Sequence, residues 1–369
     1  MTLFTSDAAA LPASAVTGRA TARRLSFSAL IKAHLELGKV RLNAMVVFTT
    51  ALGYVVGAHQ LVKLSDPSTP VLFDLPYWIR LFWTCLGTFL AAVGAAAFNQ
   101  AIETRRDAQM QRTRKRPLCT GVLSRTYAAT FGLIACICGV ALLCPKANGL
   151  TATLAAANVL IYALIYTPLK PLSTINTLVG AIVGAIPPVL GWTAATGSLS
   201  AGALVLGAIL FVWQIPHFLA LCWMYRDDYA RGGFKMLPIV DATGRLTARM
   251  ALLYAVLLMP LCLLVGYLGL AGVWLISVAF ILTLALIVTA LRFARTRKNQ
   301  DARRLFFASI IYLPLLCIVL MADARGPLAA YEVTPAGLMQ APTERFVDPD
   351  SPEGRQLNAE LATPPAPQR

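Results

Sequence analysis

An all-α, polytopic membrane fold of nine transmembrane helices, with the N-terminus in the cytoplasm, is what this sequence predicts. Three observations carry that expectation. Hydrophobic residues make up 57% of the 369 and charged residues only 13%, with mean hydropathy +0.66, against about 25% charged in a soluble domain. Nine apolar runs, at 44–62, 78–98, 123–144, 149–166, 177–196, 199–224, 247–268, 271–292 and 305–322, approach or exceed the roughly 20 residues a helix needs to cross hydrocarbon. With that count and an inside N-terminus, 25 of the 32 Lys and Arg residues fall on the cytoplasmic side, as the positive-inside rule requires. Topology therefore accounts for the net charge of +15. Nucleic-acid binding, the other meaning of such a charge, is set aside because little contiguous soluble surface remains.

The runs leave two ends outside. Residues 1–35 are rich in Ala, Ser, Thr and Arg and are expected to form a flexible N-terminal extension. No signal-peptide core follows Arg19, Arg23 and Arg24. Residues 36–322 are the membrane domain, and 323–369, rich in Pro, Ala and Glu, are expected to be a disordered tail on the non-cytoplasmic side. The eight cysteines lie mostly in apolar runs and form no CxxC pair, so they read as small buried side chains. In the fifth run, Gly180 and Gly184 make a small-xxx-small face suited to helix packing. In the sixth, Pro216 is expected to break or kink the helix and free a backbone carbonyl.

The chemistry concentrates in two cytoplasmic loops. Asn99, Glu103 and Asp107 stand four residues apart at the end of the second run. Four residues turn a helix by 400°, so the three side chains form one drifting stripe. Acids at membrane depth are costly and mark a functional site by default. Interfacial ion pairing with neighbouring arginines is the blander account, but it needs no Asn. Mg²⁺ takes oxygen ligands, commonly one or two carboxylates with substrate phosphates. Arg106, Arg112, Arg114, Lys115 and Arg116 lie alongside, and arginine suits bidentate phosphate contacts. The pattern points to a metal–diphosphate group whose greasy remainder lies in the bilayer.

The second loop repeats acid-then-base, with Asp227 and Asp228 followed by Arg231 and Lys235. A simple Asp/Gly turn is the competing reading. Lys170, the one cation of a short loop, and Lys39, before the first run, are further candidate diphosphate contacts. In the sixth run Trp213-Gln214-Ile215-Pro216-His217-Phe218 holds a histidine within a long apolar span. His217 reads as a satisfied structural donor, a heme-iron ligand, or a proton acceptor, and these stay open at this point.

These residues resemble the UbiA-type intramembrane prenyltransferase superfamily, in particular its heme-farnesylating branch. The first loop is similar to an Asn-xxx-Asp-xxx-Asp motif, with Glu103 in the middle place. The heme-specific likeness lies in Trp213 to Phe218, in Asp228-Tyr229-Ala230-Arg231-Gly232-Gly233, in Tyr166-Thr167-Pro168-Leu169-Lys170, and in Ala302-Arg303-Arg304 before Tyr312-Leu313-Pro314. It covers about 30–322. Quinone-forming relatives often carry a second Asp-xxx-Asp where this chain has adjacent acids.

The resemblance implies nine helices around a central cavity and farnesyl transfer from farnesyl diphosphate to a vinyl group of heme B, giving heme O. It implies Mg²⁺, held by Asn99, Glu103, Asp107, Asp227 and Asp228, with catalytic work shared among these and His217. Substrate contacts fall to Lys39, Arg106, Arg112, Arg114, Lys115, Arg116, Tyr166, Lys170, Trp213, Gln214, Arg231 and Lys235. The implied setting is a bacterial inner membrane with active-site loops in the cytoplasm, and the implied partners are heme A synthase or oxidase assembly factors. Three rivals are the same fold with another aromatic or tetrapyrrole acceptor, a cation-coupled transporter, and a heme-carrying assembly protein.

Overall fold

The computed structural model describes residues 26–65 and 75–324. In chain order these form α1 (Phe27–Leu37), α2 (Val40–Ser65), α3 (Leu75–Asp107), α4 (Arg125–Lys146) and α5 (Gly149–Leu160). A π-helical stretch over Ile161–Tyr166 and the single turn α6 (Thr167–Leu169) continue α5. Then come α7 (Asn176–Thr196), α8 (Ala201–Met224), the short α9 (Arg226–Arg231) and α10 (Leu237–Val240), and α11 (Arg245–Tyr267), α12 (Val273–Thr296) and α13 (Asn299–Ala322). Among the described residues there is no strand, only an isolated bridge between Ala271 and Ala324.

Nine of these segments are long and apolar enough to cross a membrane, and each coincides with one of the nine expected runs. Large apolar side chains face outward around the bundle, including Leu133, Ile137, Phe280 and Ile281, the last 65% exposed. Water would penalise such a surface and hydrocarbon would not. The chain is a polytopic membrane protein.

Small residues set the helix spacing. The α3–α4 contact runs through Gly94 and Gly132, where a Cβ on Gly94 would lie 2.5 Å from the Gly132 carbonyl oxygen. Likewise a Cβ on Gly191 of α7 would overlap the Thr50 carbonyl of α2. The largest buried cluster gathers α8, α11, α12 and α13 around residues such as Leu206, Leu258 and Phe293, and it reaches α7 through Trp192.

Several expectations are corrected. The flexible extension does not run through residue 35. Ser26 caps α1 by accepting the Ala29 N–H at 3.3 Å, and Ala33 and Leu37 are buried against Ala97 and Leu118. Residues 1–25 and 325–369, where the rest of the extension and nearly all of the tail were placed, lie outside the described residues. The first acidic loop begins later than expected, because α3 continues helical to Asp107. Of the break or kink expected at Pro216, the break does not occur, and α8 stays helical through it. Gly180 and Gly184 face neighbouring helical segments through side chains rather than backbone: they leave room for Tyr166 of the π-helical stretch and Gln214 of α8.

The α2–α7 contact yields a prediction. Gly191→Ala forces the two helices apart and is expected to cost about 1–3 kcal/mol, read as a lowered midpoint in thermal unfolding of the detergent-solubilised protein. An unchanged midpoint would contradict the close approach.

Candidate active site

The bundle encloses a cavity of about 520 Å³. Its walls change character with depth. At the loop end they carry Lys39, Glu103, Asp107, Arg112, Arg116, Lys170 and Tyr229, then apolar groups such as Ala95, Val159 and Leu313, and also Trp213, Gln214 and His217. His217 and Trp213 stand 7 and 11 residues before Met224, the last residue of α8. At 1.5 Å per residue they lie roughly 10–16 Å deeper than the loops.

The polar end is a lattice of buried charge. Glu103 and Asp107 face the cavity one turn apart on α3 and are 5% and 2% exposed. Each has its own cation: Lys170 Nζ lies 2.8 Å from Glu103 Oε1, and Arg116 pairs with Asp107. Lys170 also sits over the Tyr166 ring, 4.6 Å from its centroid. Burial would lower the Lys170 pKa, but Glu103 outweighs it and holds the ammonium above its ordinary value.

Lys39 stands at the turn between α1 and α2 with φ +46°, a conformation that side chains rarely adopt. The turn is tied from two sides. Gln100 Nε2 donates to the Glu36 and Leu37 carbonyls, both at 2.8 Å, and Asn43 Nδ2 donates to the Gly38 carbonyl at 2.7 Å. Held there, Lys39 Nζ donates to Asn99 Oδ1 at 2.6 Å, and Asn99 Nδ2 donates to Thr167 Oγ1 at 3.1 Å. Burial, then the neighbouring charges of Arg116 and Lys170, pull the Lys39 pKa down to about 7.

Asn99 is thereby corrected as a metal ligand. It is fully buried, does not line the cavity, and its oxygen is engaged by Lys39.

The second loop differs further from expectation. Asp227 has a side chain 86% exposed, near Arg226 and off the cavity wall. Asp228 is buried but spends its oxygens on the first loop: Gln111 N–H donates to Oδ1 at 2.8 Å and Arg112 N–H to Oδ2 at 3.1 Å, with Arg231 on Oδ1. Burial would raise the Asp228 pKa, but these donors prevail and hold it below the usual range. Arg106 completes the clasp by donating to the Gly232 and Gly233 carbonyls at 3.1 Å. The two loops do meet, yet Asp228 acts there as a strut. Arg106, Arg114, Lys115, Arg231 and Lys235, expected as substrate contacts, likewise do not line the cavity.

Consequently the expected five-ligand metal cluster is not assembled. Among the described residues no group of three or more His, Cys, Asp and Glu side chains gathers around one point. What remains is Glu103 and Asp107, each already facing a cation, Glu103 Oε1 with Lys170 Nζ at 2.8 Å and Asp107 with Arg116.

Deeper in, the His217 ring is stacked by Trp213 and by Phe306, with centroids 5.1 and 4.8 Å away and tilts of 22° and 28°. Trp213, Gln214, Tyr166 and Lys170 line the cavity.

A family model described as the UbiA prenyltransferase family matches residues 46–311. The chain belongs to that family. Two relatives are each 40% identical over 317 residues. One is the mitochondrial protoheme IX farnesyltransferase of Arabidopsis thaliana, with 85% of this chain matched to 70% of the relative. The other is the protoheme IX farnesyltransferase of Koribacter versatilis, with 84% matched to 99%. Among solved structures, a digeranylgeranylglyceryl phosphate synthase superposes with TM-score 0.64 at 16% identity, over 79% of this chain and 98% of that one. A UbiA homolog from Archaeoglobus fulgidus bound to GPP and Mg²⁺ gives 0.50 at 12% identity, over 79% and 99%. These two share the fold.

Sequence reasoning missed Gln100, Asn43, Thr167 and Tyr229. Gln100, a second polar residue beside Asn99 in an apolar helix, was the one visible signal. Tyr229 accepts from Arg112 at 3.0 Å and stacks beneath it.

The adjacent acids separate cleanly by experiment. Asp228→Ala leaves the Gln111 and Arg112 N–H groups without their acceptor and Arg231 without its partner, at about 1–3 kcal/mol, and is expected to lower prenyl transfer roughly 10–100-fold. Asp227→Asn is expected to leave it within about twofold, as exposed substitutions do. Equal loss in both would restore a metal-binding role to Asp227.

Proposed function

We propose that this chain transfers the farnesyl group of farnesyl diphosphate to a vinyl group of protoheme IX (heme B), releasing diphosphate and giving heme O. The observation that carries the reading is the cavity's polarity: four cations facing two carboxylates at its mouth, an apolar trunk, and an aromatic wall bearing one histidine. Relatives named protoheme IX farnesyltransferase supply the acceptor.

The diphosphate head sits among Lys39, Arg112, Arg116 and Lys170, where the excess of positive charge is matched by an anion. Glu103 and Asp107 are the residues that would hold Mg²⁺. Two buried carboxylates one turn apart on the cavity wall fit a cation that completes its shell with phosphate oxygens. The ion, when bound, supplies additional charge neutralisation for the departing diphosphate.

In the reaction the farnesyl C1–O bond breaks, its electron pair leaves with the diphosphate, and positive charge spreads over the allylic carbons. Tyr162 and Tyr166, whose rings line the cavity, stabilise that charge through their faces. The terminal vinyl carbon attacks C1 with its π electrons. The cation left on the inner vinyl carbon, next to the porphyrin ring, takes the oxygen of a water, which then loses a proton to give the hydroxyethylfarnesyl group. A dry, preorganised mouth is the main source of acceleration. We place the loops in the cytoplasm of a bacterium and the bundle in its inner membrane, with the product passing to heme A synthase or to oxidase assembly factors.

The purified protein with heme B, farnesyl diphosphate and Mg²⁺ is expected to give a porphyrin whose mass has gained a farnesyl group and a hydroxyl group. Chelating the metal, or Asp107→Asn, is expected to suppress product sharply. Transfer undiminished by both changes would refute the metal reading, and no mass gain would refute the function. Lys39 adds a pH dependence. A bound diphosphate favours the ammonium, so an empty-site pKa of about 7 makes binding take up a proton above that pH. Affinity for inorganic pyrophosphate is expected to fall by up to about tenfold per pH unit above pH 7, relative to Lys39→Met, which removes this component. Parallel profiles would contradict it.

A further inference from the structure

We propose that Ser309 of α13 is a positioning residue that fixes the tautomer of His217, so that Nε2 presents a lone pair to the cavity as an axial ligand for the iron of the tetrapyrrole acceptor. The inference rests on the transferase reading above and adds to it how the acceptor is gripped.

The argument is one of proton count. Ser309 has a single hydroxyl proton, and its Oγ lies 2.6 Å from the Phe306 carbonyl oxygen one turn back, which can only accept. The proton is therefore committed there. The same Oγ is 2.8 Å from His217 Nδ1, so in that contact the serine accepts and Nδ1 carries the hydrogen. A neutral imidazole protonated on Nδ1 has its lone pair on Nε2. Nε2 has no partner among the described residues, and it is not among the buried atoms sealed without one. It opens instead into the cavity that His217 lines.

Two further contacts fix the ring. Trp213 and Phe306 both stack on it, and neither takes up Nε2. Trp213 is itself tied to the same serine, with Nε1–H donating to the Ser309 carbonyl at 2.9 Å. One residue of α13 thus orients two side chains of α8. A neutral imidazole whose other nitrogen donates to a fixed acceptor is the arrangement that histidine ligands to metals commonly show. A proton-accepting role for His217 would also use Nε2, but it would be indifferent to iron.

The test uses the full-length protein in detergent, ferric protoporphyrin IX, and metal-free protoporphyrin IX as the control. Wild type is expected to give a histidine-ligated Soret band and electron paramagnetic resonance signal that His217→Ala abolishes. Ser309→Ala is expected to weaken ferric-porphyrin binding roughly 10–100-fold, the usual effect of losing such a partner, while binding of the metal-free porphyrin changes little. Ser309→Thr, which keeps the hydroxyl, is expected to restore the wild-type spectrum. If Ser309→Ala does not fold, Ser309→Cys, a poorer acceptor of similar size, is expected to give an intermediate affinity. Wild-type ferric affinity and spectrum in the alanine variant, or in the cysteine variant used in its place, would overturn the proposal, as would equal weakening for both porphyrins. Product formation by wild type is scored separately. Farnesylated product with an unaltered variant spectrum sinks this inference alone, whereas absence of product sinks the transferase reading.

Discussion

The structure depends on keeping like charges together in a place that water does not reach freely. Lys39, Arg112, Arg116 and Lys170 converge on Glu103 and Asp107 at the mouth of a cavity inside an apolar bundle. Isolated charges there would be prohibitively expensive. Pairing relieves two of the cations, and the remaining excess is what an anion would satisfy. The lowered pKa of Lys39 registers that frustration directly.

Much of the surrounding architecture holds this arrangement in place. Gln100 and Asn43 pin the turn that forces Lys39 into its uncommon backbone conformation. Such conformations persist where the neighbourhood over-determines them, and they gather at functional sites. The π-helical stretch before α6 brings Tyr162 and Tyr166 to the same wall. Across the mouth, Asp228 and Arg106 bind one loop to the other through backbone groups. Arg112, whose own N–H is part of that clasp, is aimed by it. The apolar trunk then joins a cation-rich end to an aromatic end within one enclosure.

Periodicity carries the fold and half of the site. Nine runs of the right length make nine spans, and the stripe of Asn99, Glu103 and Asp107 is legible because helical spacing is a local property. What each stripe member does is not local. Asn99 gives its oxygen to a lysine 60 residues away, a contact that no spacing rule contains. Asp227 and Asp228 read alike as sequence, yet neighbours on a helix point about 100° apart, so one faces the other loop and its twin faces outward. Gly180 and Gly184 form a packing motif on paper, but the space they leave is filled by Tyr166 and Gln214. Ser309 gave no signal at all, since a serine in an apolar span has meaning only through what stands opposite it.

The most direct test is a structure of the protein with Mg²⁺ and farnesyl thiodiphosphate, a donor analogue that resists ionisation. The account predicts the diphosphate among Lys39, Arg112, Arg116 and Lys170, metal on Glu103 and Asp107, Asp228 still bonded to the Gln111 and Arg112 amides, and the isoprenoid tail running toward Trp213. A diphosphate held through metal on Asp227 and Asp228, or seated beside His217, would contradict it.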